Sequence, residues 1–491
     1  MVVEQGGNAV LGALLAELEW SPGRLAEAVN DLLGPGYVGR NTVSEWVHRD
    51  RVPRHPLPTV VAHLVSDAVD REVSVERLWS GRARPAGLWV PADVDLQLPW
   101  TAAGTVGVLD DWLRHAGGSI KVDRRTFLAV GGAALTGPAW GYVDHFASRG
   151  GSFAALADVY PTMTVTPAMV DMVAATTAGI RNLGGVEGGH EDNLRIVHRH
   201  LTWVGKLLRQ SRFSTGAVAD RLLAEWAQVA QLAGWIAHDT GKHGLSQRYL
   251  TSGLHAAHTA GDRSMGAYLL VCMTQAAVSR GRLDDGIDLG RAAKDAVELA
   301  NAAHEAARST PPAVRALAAS RFALAQAAVG NARGFHVAAD EARTLLDTSG
   351  AMDALPAYLS CSGTDAFGPD ALESQLANGA LVLAGVTSRD SRSLLDGAEL
   401  VLGRYATDPA STPVYAVYYP AGLARAHVAA GDLERAVSAG HAALRRASTV
   451  RSRRCALVLS RLEADFAALP STRLPASARS LQDQLRAVHA A

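Results

Sequence analysis

The feature that most constrains how this chain can fold is a pattern that recurs through its larger, C-terminal part. An Ala- and Leu-rich helical run is followed by a Gly-plus-polar turn and then by a second helical run. The turns fall at Gly241-Lys242, Gly281-Arg282, Gly330-Asn331 and Gly431-Asp432. Glycine suits such positions because reversing the chain between two helices calls for φ > 0, which glycine adopts without steric cost. The clearest unit runs from Leu423 to Leu444, with Ala424, Ala436 and Ala443 where two backbones must approach closely. Leu232 to Leu254 repeats the plan, with Gly234 at the close approach and Gly241 in the turn, and a weaker pair spans about Leu372 to Tyr405. One helix pair cannot bury its apolar face alone, so tandem pairs stack around a continuous core and leave a concave inner face. Residues 165–491 are therefore expected to form an all-α, degenerate helical-repeat solenoid.

Residues 8–80 read as a separate compact helical domain. Val10, Leu11, Leu14, Leu15 and Leu18 share one helical face. Ser21-Pro22 supplies an N-cap and a proline at the first helical position, ahead of Leu25, Ala28, Val29, Leu32 and Leu33. Gly34-Pro35-Gly36 ends that helix, and the next candidate helix carries Arg40, Asn41, Thr42, Ser44, Glu45 and His48 around an apolar seam of Val43, Trp46 and Val47. Pro53, Pro56 and Pro58 break the chain before a fourth helix, Thr59 to Val69, and Ser74 caps a short closing helix. A helix held to a core by one face and polar on the other is the form that enters a DNA groove. Asn can pair with adenine, Glu can accept from cytosine, and Ser or Thr suits several bases. Arg40, Arg51 and Arg54 suit phosphates, which position a protein without specifying sequence. Trp46 reads as the core anchor of the helix, and Trp20 and Trp79 as further core residues.

Charge sets a condition on this reading. The 491-residue chain has a formal net charge of −1, and residues 1–90 hold nine arginines and no lysine against eleven Asp and Glu. Phosphate neutralisation must then come from a local patch, with dimerisation supplying affinity that one acidic domain lacks. Between the two halves, residues 81–160 read as a connector with short helices, interrupted by Pro85, Pro91, Pro99 and two Gly-Gly pairs. Within it, Arg124-Arg125 before a mild apolar run resembles a twin-arginine export signal, but it follows a folded-looking domain and is expected to be a linker helix. No run reaches the roughly 18 apolar residues of a membrane span, so a cytoplasmic protein with no membrane partner is expected.

Catalytic and metal chemistry find little support. Cys272, Cys361 and Cys455 are isolated, which suits buried thiols. Histidines group as His190, His198 and His200, as His238 and His243 beside Asp239, and as His255 and His258, but no HExxH occurs and packing roles are expected. There is no GxSxG elbow and no phosphate-binding GxxxxGK[ST], and Gly184-Gly185 reads as part of a flexible loop. No catalytic residue, metal or cofactor is expected.

Two stretches carry a family resemblance. Leu25-Ala26-Glu27-Ala28-Val29-Asn30, a Gly/Pro loop with Tyr37, Thr42-Val43-Ser44-Glu45-Trp46 and Pro53-Arg54 resemble the phage-repressor-like (XRE-type) helix-turn-helix of actinobacterial regulators. The loop from Gly34 to Arg40 is longer than the tight turn of that motif. Gln231-Leu232-Ala233-Gly234-Trp235-Ile236-Ala237-His238-Asp239, with Gln247-Arg248-Tyr249 and Ala260-Gly261-Asp262, resembles their tetratricopeptide half. Taken together, the arrangement is similar to the negative regulators of Streptomyces differentiation and antibiotic production. The resemblance implies a repressor that binds double-stranded DNA, with repeats that mediate homodimerisation or sense a peptide, protein or small molecule. Trp235, Arg248 and Tyr249 are the residues expected to line the repeat groove, among bulky neighbours Trp203, Trp226 and Tyr268. The alternatives are a protein-interaction scaffold that does not bind DNA and, further off, an exported repeat protein launched from Arg124-Arg125.

Overall fold

The computed structural model describes residues 8–33, 38–49, 51–53, 57–69, 73, 78–79, 98–115, 133–145, 153–156, 163–187, 189–283, 288–360, 367–387, 391–408, 411–470, 472 and 474–490. Arg54, Cys361 and the Arg124-Arg125 pair lie outside these residues. The chain divides into two units, Met1–Asp93 with Ile120–Val130, and Val94–Ser119 with Gly131–Ala491. Both are helical, and no described helix is long and apolar enough to cross a membrane.

The first unit holds α1 (Ala9–Glu17), α2 (Pro22–Leu33), α3 (Arg40–His48) and α4 (Leu57–Ala68). Polar side chains start and fasten these helices. Asn8 Oδ1 accepts from Leu11 N at 2.9 Å to cap α1, while its Nδ2 donates to Leu78 O at 2.9 Å. Ser21 Oγ accepts from Arg24 N at 3.1 Å at the start of α2. Asn30 exchanges two hydrogen bonds with the backbone of Val38, at 2.9 and 2.8 Å, and so fixes the entry to α3. Leu11, Leu25, Val29, Val43, Val61, Val65, Leu78 and Trp79 form the core, with Trp46 edge-on to Trp79 at 6.2 Å between ring centroids. Trp79 Nε1 donates to Pro58 O at 3.0 Å, so the ring is buried with its one polar atom satisfied.

The second unit opens with α5 (Ala102–His115) and α6 (Ala133–Asp144), then a short two-stranded parallel pairing of β1 (Met163–Val165) with β2 (Ser211–Phe213) around α7 (Pro167–Glu187) and α8 (Glu191–Gln210). The helix α7 runs on through Gly184-Gly185, where the sequence suggested a loop. Hairpins follow: α9 (Gly216–Asp239) with α10 (His243–Ala260), α11 (Arg263–Leu283) with α12 (Leu289–Ala307), and α13 (Pro312–Ala328) with α14 (Ala332–Leu346). After the short α15 (Ala357–Ser360) come α16 (Pro369–Val386) with α17 (Ser391–Leu402), the single turn α18 (Arg404–Thr407), α19 (Pro413–Ala430) with α20 (Leu433–Ala447), and α21 (Arg453–Ala467) with α22 (Ala476–Ala490).

The turn chemistry accounts for this register. Gly241, Gly261, Gly330 and Gly431 have φ of 79°, 70°, 73° and 78°. After the last three of these, Asp262, Asn331 and Asp432 accept a hydrogen bond from the backbone N–H three residues on. A left-handed glycine thus ends one helix and an Asx side chain starts the next. Gly281 departs from the expectation. It lies inside α11, where an added Cβ would come within 2.9 Å of Ala292 Cβ, so it serves close helix contact and the chain reverses further on. Gly234 is likewise a contact glycine, its missing Cβ replaced by Leu250, while Ala424, Ala436 and Ala443 are fully buried.

The first helices of successive hairpins form a layer of their own, α9 against α11, α11 against α13, α13 against α16, α16 against α19 and α19 against α21. This layer also turns back on itself, because α7 packs against α19 and α11 against α21. The stretch expected to be a connector is therefore in part integral: α5 packs on α8 and α10, and α6 on α10 and α12. In the first unit, replacing the anchor by Trp46→Ala is expected to lower stability by about 3–5 kcal/mol, read as a fall in the urea midpoint of that unit's transition.

Candidate functional site

In the first unit, α3 presents two unlike faces. Val43 is fully buried and Trp46 is 2% exposed, while Arg40, Asn41, Thr42 and His48 are exposed and Ser44 and Glu45 half-buried. Asn41, Thr42, Glu45 and His48 follow helical spacing on one side, away from the core seam. Glu45 is engaged: its Oε2 pairs with Arg51 Nη1 at 2.6 Å and its Oε1 with Arg49 Nη1 at 3.8 Å. The carboxylate holds two guanidiniums beside the end of α3, and to accept from a base it must first release them.

In the second unit the layer of first helices lines a partly open cavity of about 230 Å3. At roughly 30 Å3 per water, that is room for on the order of eight waters or one small organic molecule. Helix α9 supplies Gln231, Trp235 and Asp239, α11 supplies Tyr268, Cys272 and Gln275, and α13 supplies Arg321. The far wall is Tyr358 on α15, Ser374, Gln375 and Asn378 on α16, and Tyr405, Tyr415, Tyr418 and Tyr419 from α18 and α19. Arg181 of α7 and Arg454 of α21 close it.

Asp239 organises one end. Its Oδ1 accepts from Arg454 Nε at 3.0 Å and from Ser452 Oγ at 2.9 Å, and its Oδ2 accepts from Gly189 N at 2.8 Å. Both partners of this ion pair are buried, at 4% and 7% side-chain exposure. Burial alone would lower the Arg454 pKa, but the Asp239 carboxylate beside it raises the value overall. The guanidinium lies over Trp235 at 5.2 Å and over Tyr418 at 4.8 Å.

The tyrosines form stacked groups, with Tyr268 on Tyr358 at 5.5 Å and Tyr415 on Tyr419 at 5.1 Å between centroids. Burial raises the pKa of Tyr268, Tyr358 and Tyr419, so these phenols stay protonated. Burial also pushes the Cys272 thiol up to about 11, which leaves it a poor nucleophile.

Of the groove residues expected from sequence, only Trp235 lines the cavity. Tyr249 is fully buried on the other side of its hairpin, stacked on Trp112 of α5 at 4.5 Å. Arg248 pairs with Asp111 of α5 at 2.8 Å and lies over the same tryptophan at 5.1 Å. Both fasten α5 to α10, a task hidden in the sequence because α5 lies in the stretch read as a connector. Of their neighbours, Tyr268 lines the cavity and Trp226 is core, its Nε1 donating to Leu201 O at 3.2 Å. Arg181, Arg321, Asp239, Arg454 and the α19 tyrosines were not singled out for the groove. Tyr415, Tyr418 and Tyr419 did carry a signal: Tyr-Ala-Val-Tyr-Tyr in an otherwise Ala-rich helix is too much phenol for ordinary repeat packing.

Three of the grouped histidines are held in packing contacts. His198 Nδ1 bonds Tyr249 Oη at 2.8 Å, His200 Nε2 bonds Thr177 Oγ1 at 2.9 Å, and His255 stacks on Trp100 at 4.0 Å. No protein-family model matches the sequence, and neither a curated protein nor a solved structure matches the chain.

Two outcomes follow from this geometry. Asp239→Asn leaves Arg454 buried without its counter-charge and is expected to cost about 3–5 kcal/mol, measured by chemical denaturation of the second unit. His198, His200, His238 and His258 all have pKa values lowered mainly by burial. A lowered folded-state value favours the neutral ring, so its stabilising effect is complete above the unfolded value of about 6.5 and is lost as pH falls from there toward the folded value. The Tm is therefore expected to drop between pH ~7.5 and ~5.5, and to drop less in His200→Gln, whose amide replaces the Nε2 bond without titrating.

Proposed function

We propose that this protein is a DNA-binding transcriptional regulator whose second unit is an effector-sensing, degenerate tetratricopeptide-like array. In this reading the first unit is a helix-turn-helix domain with α3 as its recognition helix. The observation that carries it is the division of α3: Val43 and Trp46 are buried, while Asn41, Thr42 and His48 stand exposed at groove-reading spacing. Arg40, Arg49 and Arg51 supply phosphate contacts, and Arg54 of the sequence motif is assigned the same role. Two copies reading a palindrome one helical turn apart compensate for the acidic remainder of the domain. The cavity of the second unit receives the effector, which shifts the equilibrium between DNA-competent and incompetent states only as far as it binds one of them better. The sequence resemblance makes repression of differentiation or secondary metabolism the favoured outcome, in the cytoplasm.

The second reading is an interaction scaffold that has lost DNA binding. It is favoured by one specific observation, the capture of Arg49 and Arg51 by Glu45.

Capture of genomic fragments by the full-length protein, followed by sequencing, separates the two. A shared palindromic motif that is lost in Asn41→Ala/Thr42→Ala supports the regulator. In the same assay Arg51→Ala is expected to weaken binding to every fragment alike and to reduce the salt slope by about 1. Recovery of no motif at low salt, both in buffer and in cell extract, favours the scaffold.

A further inference from the structure

The cavity carries more positive charge than its own walls neutralise. Three guanidiniums line it, from Arg181, Arg321 and Arg454, and one carboxylate, Asp239. That carboxylate is fully engaged with Arg454, Ser452 and Gly189. Arg181 is 9% exposed, and its Nη1 donates to Gln231 Oε1 at 2.9 Å. Arg321 Nη1 donates to Gln375 Oε1 at 2.8 Å. Neither arginine forms an ion pair among the described residues, and Arg181 Nη2, Arg321 Nε and the Tyr358 hydroxyl are buried with no hydrogen-bond partner. Glu225, which senses Arg181 at longer range, has its carboxyl pKa raised by its own burial and is bonded to Gln228.

An unneutralised guanidinium in a protein interior is costly, and so is a donor left without a partner. Two such groups facing one space, each held in place by a neutral amide, form a site awaiting negative charge. The walls beside them are stacked phenol rings, Tyr268 on Tyr358 and Tyr415 on Tyr419. Flat apolar surface next to paired guanidiniums selects a molecule with both features.

We infer that the cavity of the second unit binds a small organic acid, a carboxylate or phosphate on a flat aromatic body, with Arg181 and Arg321 holding the anion and the tyrosine stacks holding the ring. This names the effector class of the cavity and rests on the reading of that cavity as the sensing site. It does not depend on DNA binding, so a chain that never binds DNA gives the same result in the test below.

The test is thermal denaturation of the full-length protein and of Arg181→Met/Arg321→Met, alone and with ligands. The ligands are a panel of aryl carboxylates and aryl phosphates, each paired with its neutral amide or alcohol, with inorganic phosphate as a separate arm. Without ligand the double variant is expected to melt no lower than the wild type, because it removes one buried and one half-buried charge that no carboxylate among the described residues pairs. A double variant that melts well below the wild type assigns the arginines to structure and overturns the proposal. With ligand, members of the acid series are expected to raise the wild-type Tm by a few degrees while their neutral partners do not. Single variants Arg181→Met and Arg321→Met are expected to weaken that binding by roughly 10–100-fold. No shift with any acid, an equal shift with the neutral partners, a shift retained in the double variant, or an equal shift with inorganic phosphate alone each overturns it.

Discussion

Asp239 and Arg454 stand 215 positions apart, yet one carboxylate ties the end of α9 to the start of α21 and to the backbone at Gly189. The layer of first helices curves because each hairpin adds a small rotation to the last, and curvature alone leaves an open groove. The buried ion pair, with α7 against α19 and α11 against α21, draws that groove in around a partly open cavity. Desolvation offsets much of the Coulomb attraction in such a pair, so its net effect on stability is small while both partners are present. What it contributes is register, because the carboxylate is satisfied three times over only while Gly189, Ser452 and Arg454 all reach it.

The cavity inherits its character from that closure. The first helices can be as bulky as Tyr415, Tyr418 and Tyr419 only because their side chains meet across an interior and not in the tight space between paired helices. Between the paired helices the requirement is the opposite, and Gly234, Gly281, Ala424 and Ala443 keep those backbones close. The outer side of the first hairpin is covered in turn by α5, whose Asp110 pairs with Arg209 at 2.6 Å and whose Asp111 pairs with Arg248. That cover explains why α10 is buried almost along its whole length.

The first unit works from the reverse constraint, a small core that must hold one helix outward. Trp46 and Trp79 are its largest side chains, and Asn8 and Asn30 use their amides to fasten chain ends. The polar face of α3 is left with no internal task apart from Glu45, which gathers Arg49 and Arg51. Electrostatically the face is a set of neutral hydrogen-bonding groups flanked by arginines, set on a domain that is otherwise acidic.

Local physics was legible in the sequence, and non-local physics was not. The left-handed turns at Gly241, Gly330 and Gly431 were readable because glycine and the residue after it act within a few positions of chain. The seam of Val43 and Trp46 was readable from helical spacing alone, as were the close approaches at Gly234 and Ala436. Gly281 was misplaced because a helical glycine and a turn glycine look alike until the partner helix is known. Arg248 and Tyr249 were assigned to the wrong side because periodicity shows that a helix face is buried and not which neighbour buries it. The pairing of Asp239 with Arg454, the unpaired charge of Arg181 and Arg321, and the enclosure of the tyrosines join residues from 50 to more than 200 positions apart. By itself the sequence determined the all-helical character of the chain and the glycine-ended turns at Gly241, Gly330 and Gly431. Only the tertiary structure decided that the repeats close on a charged cavity, because ring closure depends on the accumulated rotation of every hairpin, which no single segment encodes.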